Sequence, residues 1–139
     1  MSTRLEPHGS SSPPAPRTPS RTIALAAVLD VVAVVVFVAI GRRSHDETGS
    51  VVAGIAKVAA PFLIALVVGW VVARAWRAPT TLSAIAVIWP ITVALGMVLR
   101  HTVFDKGTAA SFMIVAAIVT FVFLFGWRAI ANRVFHAVD

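Results

Sequence analysis

Asp30 interrupts the apolar run 22–40, and its type and position make it the residue of this chain best placed to do chemistry. A carboxylate at that depth can accept a proton or a cation, or it can lock its own helix to a neighbour. An ionised Asp at a helix centre disfavours insertion by roughly 2.5–3.5 kcal/mol, whereas a strongly apolar residue favours it by about 0.3–0.6 kcal/mol. Twelve such residues share the run, so the segment inserts with its acid turned towards protein or water. Helical spacing sets Ala26, Asp30 and Ala33 on one face at i, i+4 and i+7, and small residues mark close helix contacts.

Other side chains could serve that carboxylate. Lys57 lies in the second apolar run, about 9 Å below the surface opposite the termini if the first two runs form an antiparallel hairpin, with Asp30 at about 15 Å. Its flexible stem could close the gap to Asp30 or snorkel to the headgroups. Thr92 could donate a hydroxyl hydrogen bond to Asp30. It shares a face with Trp89, Gly96 and Arg100 beside Pro90, a polar and small stripe that suits either an interior-facing surface or ordinary bundle packing. The connectors hold Arg42, Arg43, His45, Asp46 and Glu47, then Arg100, His101, Asp105 and Lys106. Adjoining hairpins would make of them a mixed-charge cap at the outer mouth. Arginine forks there suit a phosphate or carboxylate, and local salt bridges are the plainer reading. Two lone histidines without a ligand motif make a poor metal or haem site. With no cysteine, disulfides, thiolate metal sites and a Cys nucleophile are excluded.

These residues must be positioned by elements that live in lipid. Hydrophobic residues make up 58% of the 139-residue chain and charged ones 13%, half the charged share of an ordinary soluble domain. Four apolar runs at about 22–40, 51–73, 81–99 and 109–131 predict transmembrane helices; nineteen residues give about 28 Å, enough to cross the hydrocarbon. The first is a retained helix and not a signal peptide, because Asp30 sits at its centre and Arg42-Arg43 follow it. Pro61 and Pro90 fall inside runs, which membrane helices tolerate with a kink. In the second run Ala65, Gly69 and Ala73 form a small-residue packing edge, structural or dimer-forming. Short connectors at 41–50, 74–80 and 100–108 make sequential helices antiparallel neighbours. Residues 1–21, rich in Pro, Ser and Arg, predict a disordered tail, and 132–139 a short cytoplasmic one. The expected fold is all-α, a four-helix antiparallel transmembrane bundle.

The net charge of +6 does not indicate nucleic acid, because the cations bracket the apolar runs as lipid headgroups require. The tail, second connector and C-terminus carry seven Lys or Arg, the other two connectors four, with Lys57 inside a helix. Seven against four favours both termini in the cytoplasm over the flipped topology, with the chain expected in the cell (inner) membrane. Trp76 and Trp127, beside Arg77 and Arg128, read as interfacial anchors. Ala59-Ala60 and Gly69-Trp70 recur at an offset of 57 as Ala116-Ala117 and Gly126-Trp127, a sign of two parallel-related hairpins or of chance in an apolar sequence.

Several short pieces, in this order and spacing, make the chain similar to the domain-of-unknown-function 3054 family of small bacterial membrane proteins. They are Leu29-Asp30, Gly41-Arg42-Arg43-Ser44-His45, Ala60-Pro61-Phe62-Leu63, Trp89-Pro90-Ile91-Thr92-Val93, Gly96-Met97-Val98-Leu99-Arg100 and Gly126-Trp127-Arg128. The resemblance covers about residues 22–131. It implies a four-helix integral membrane protein without assigned activity, and it carries no catalytic residues. The residues themselves predict small-solute or proton-linked transport, or binding, through Asp30, with Arg43, His45 and Arg100 at the mouth. The alternative is a structural or accessory membrane subunit. No cofactor is expected and no catalytic constellation is present; a homodimer or a membrane partner protein is expected beside the lipid.

Overall fold

Apolar composition and length produce the helices, and the computed structural model shows how they meet. It describes residues 17–43, 50–104 and 109–136. Helix α1 spans Ser20–Arg43, α2 Val51–Ala73, α3 Leu82–Thr102 and α4 Ala110–His136, with a short 3-10 turn at Ala75–Arg77. All four are long and apolar enough to cross a membrane, which makes this a multi-pass membrane protein. No strand occurs among the described residues. The N-terminal tail before residue 17 and the residues after 136 lie outside the described residues.

The helix ends show why the chain turns where it does. Ser50 caps α2 by accepting from the Ala53 N–H at 3.5 Å. At the other end Arg74 adopts the left-handed conformation, φ 49°, and its N–H donates back to the carbonyls of Trp70 and Val71. A left-handed non-glycine residue costs about 1 kcal/mol. It stops α2 one turn after Trp70 and directs the connector beneath the bundle, with Pro79 buried. Pro61 and Pro90 both sit inside their helices, Pro61 buried and Pro90 exposed.

The helices form a ring. The hairpin of α2 and α3 is the most extensive pairing, α1 packs on α2, α3 packs on α4, and α1 meets α4 to close it. Small residues set the closest approach. A Cβ on Gly69 would lie 3.2 Å from the Ile88 Cα and carbonyl oxygen, so the small-residue edge of α2 is spent on α3. In the half away from the termini, Phe37, Phe62 and Phe112 pack together with centroids 5.7–6.3 Å apart. Gly96 admits the Phe62 ring, which would be 2.5 Å from an added Cβ. Trp89 donates to the Ala117 carbonyl at 3.0 Å and meets Phe121 edge-on, tying α3 to α4. The outer perimeter is Val, Ile, Leu and Phe, as lipid contact requires.

Candidate functional site

The expected face of α1 is buried as its spacing predicts, with Ala26 1%, Asp30 0% and Ala33 6% exposed. What Asp30 meets there is a different partner from either one weighed from the sequence. Arg128 of α4 forms a two-pronged ion pair with it, Nη1 to Oδ1 at 2.7 Å and Nη2 to Oδ2 at 2.8 Å, and both side chains are fully buried. Two indoles complete the shell. Trp127 Nε1 donates to Oδ1 and Trp70 Nε1 donates to Oδ2, each at 2.8 Å. An ionised carboxylate offers about four acceptor positions. All four are filled by N–H donors, and none of the four atoms is an acceptor for a carboxyl proton.

Arg128 is bound as thoroughly as the acid it serves. Its Nε donates to the Pro79 carbonyl at 3.0 Å, and Nη1 also donates to Leu124 O at 3.1 Å, one turn back on α4. Its guanidinium carbon lies 4.3 Å from the Trp127 ring centroid, a cation–π contact. The cluster therefore joins α1, α2, α4 and the connector before α3. Its net charge is zero, so the ions and dipoles satisfy one another where both charged side chains are fully buried.

Position within each helix explains the convergence. Trp70 lies three residues from the end of α2, Arg128 eight from the end of α4, and Pro79 in the connector on the same side. Asp30 is ten residues into α1, and the fork of Arg128 bridges the remaining depth. The recurrence at offset 57 gains a physical meaning here. Trp70 and Trp127 are equivalents in it, and they approach the two oxygens of one carboxylate at the same distance. Ala59 and Ala116, also equivalents, are both buried.

The remaining sequence candidates are placed elsewhere. Lys57 is exposed on α2, thirteen residues and so about 20 Å along the helix from Trp70; it is not the partner of Asp30. Thr92 is fully buried but does not bond Asp30, and its Oγ1 has no hydrogen-bond partner among the described residues. Arg100 lies over the Phe112 ring, 4.4 Å from its centroid, at the aromatic end of the bundle. Arg43 is the last residue of α1, but its side chain and all of His45 lie outside the described residues, as does most of the expected charged cap. Two readings need correction. Trp127 is not an interfacial anchor but a donor to Asp30, and Arg128 is not a headgroup-facing cation but the buried counter-ion. Trp76, by contrast, is exposed, 44%. Arg128, Trp70 and Pro79 were missed as site residues. The recurring Gly-Trp pair was the signal for the indoles; none in the sequence marks the carbonyl.

Fold and site together define a four-helix multi-pass membrane protein closed on one side by a buried carboxylate–guanidinium clamp. The chain belongs to the family described as protein of unknown function (DUF3054), which matches residues 27–131. The matched stretch includes Asp30, Trp70, Trp127 and Arg128. No curated protein and no solved structure matches the chain.

Proposed function

We propose that this chain is an accessory or structural subunit of the cell membrane, without enzymatic activity, in which Asp30 holds helices together and does not carry protons or solute. One observation supports that reading above the rest: each acceptor position of the buried carboxylate is occupied by an N–H donor, two from the buried Arg128 and two from the partly buried Trp70 and Trp127. To take up a proton or a cation, Asp30 must leave Arg128. Breaking a buried pair leaves a charge uncompensated and costs about 3–5 kcal/mol. A transport cycle through Asp30 meets that barrier every turnover, whereas a clamp benefits from it.

Both termini lie on the cytoplasmic side in this proposal. With Arg128 withdrawn into the core, six Lys or Arg on the terminal side face four on the other, so the bias keeps its sign. The partner is a second copy or another membrane protein, docking along α4. Only 17% of the apolar span of α4 is buried within the chain, against 28–33% for the other three, which leaves it the most surface for a neighbour.

Proteoliposomes containing a pH-sensitive dye, placed under an imposed membrane potential, test the central point. The wild-type protein is expected to leak protons no faster than empty liposomes. A flux above that level that disappears in Asp30→Asn overturns the clamp reading in favour of proton-linked transport.

A further inference from the structure

A second feature lies on the terminal side, outside the clamp. Between α1 and α4 runs an open groove of about 370 Å³, within the size range of small-molecule sites. Leu25 and Leu29 form one wall, Ile130 and Val134 the other, and Trp127 closes the deep end with the ring whose Nε1 holds Asp30. Hydroxyl-bearing Thr22 and Thr80 are its polar lining residues. Thr22 to Leu29 and Val134 to Trp127 are both seven residues, so each wall descends about 10 Å. The groove is apolar along its length, with the Thr22 hydroxyl at its open end.

Among the described residues the charge at the mouth has one sign. Arg21 adjoins Thr22, Arg133 adjoins Val134, and both are exposed. Arg17, Arg74 and Arg77 are exposed on the same side of the bundle. Among the described residues the only acid is Asp30, and Arg128 neutralises it. Apolar walls of this depth under a cationic rim complement an amphiphile with an anionic head, which the bilayer itself supplies.

We infer that the α1–α4 groove is a site for one anionic phospholipid, an acyl chain lying along the walls and the phosphate at the rim formed by Arg21 and Arg133. A zwitterionic lipid offers the same chain but carries its own cation, which the rim repels. The site makes no use of the Asp30 clamp beyond the ring face of Trp127, so its failure leaves the clamp reading standing.

Native mass spectrometry of the full-length protein released from detergent, with phosphatidylglycerol or phosphatidylcholine added, reads the site directly. One phosphatidylglycerol is expected to stay bound in preference to phosphatidylcholine. A basic residue near an anionic surface is worth about fivefold in binding, so the Arg21→Gln/Arg133→Gln variant is expected to lose about 25-fold of that preference. Ala131→Trp fills the groove from α4 and is expected to abolish retention of both lipids. Val134→Trp, at the exposed mouth, serves where the first variant fails to fold. Equal retention of the two lipids by the wild-type protein overturns the inference. So does a preference that survives the tryptophan variants, because it then comes from diffuse surface charge and not from a groove.

Discussion

Replacing Arg128 with Met keeps an unbranched apolar stem as far as the position of Nε while removing every N–H the side chain donates. Asp30 then loses two of its four donors, and the Pro79 carbonyl and one acceptor on Leu124 lose theirs. Removing one partner of a buried ion pair costs about 3–5 kcal/mol, and a lone Asp inside the membrane about 2.5–3.5 kcal/mol on the insertion scale. The two figures come from independent routes and agree, so a loss of about 3–4 kcal/mol is expected. Asp30→Leu should cost a similar amount, because it leaves Arg128 buried and unpaired. If the sites were independent the double variant would lose about 6–8 kcal/mol. An apolar pair replaces the ion pair itself at little cost, but the two indole N–H groups and the Pro79 carbonyl stay without partners, so the double variant is expected to lose about 3–4 kcal/mol, no more than either single variant, a coupling of about 3–4 kcal/mol. Reversible unfolding in mixed micelles, followed by the fluorescence of the four tryptophans, measures all four corners of the cycle. Lys57→Met is the control and should change stability by less than about 0.5 kcal/mol. Additive single losses, or an Arg128→Met protein as stable as wild type, would refute the clamp.

Glycine substitutions test the packing. Gly96→Ala is expected to cost about 1–3 kcal/mol because the new Cβ meets the buried Phe62 ring at 2.5 Å. Gly126→Ala, with nothing within 4 Å of its Cβ, should stabilise α4 by up to about 1 kcal/mol in the same unfolding assay. Trp70→Phe and Trp127→Phe each delete one N–H to a charged oxygen, so each should lose about 1.5–3 kcal/mol. Trp127→Phe should be the larger loss, since it also weakens the stacking of Arg128 on that ring. Unequal losses in the opposite order would count against the cation–π contact.

Hydropathy is a local quantity, and what it governs was open to reading in the sequence. Whether a stretch partitions into lipid depends on its own twenty or so side chains, so the four helices and the all-α class followed from composition and length alone. The buried face of α1 followed as well, because Ala26, Asp30 and Ala33 align by the helical repeat whatever the neighbours are. The counter-ion did not follow. Arg128 stands 98 residues from Asp30, at the end of an apolar run and next to a tryptophan, which is also how a headgroup-facing cation is written. Lys57 is the nearer candidate in sequence because hairpins make consecutive helices neighbours. Closure of the ring brings α4 against α1 instead, and Trp70, Arg128 and Pro79 meet at a matching depth on the terminal side. Insertion is decided by each segment separately. Pairing of a buried charge is decided by which helices meet and at what height, and only the tertiary structure sets that.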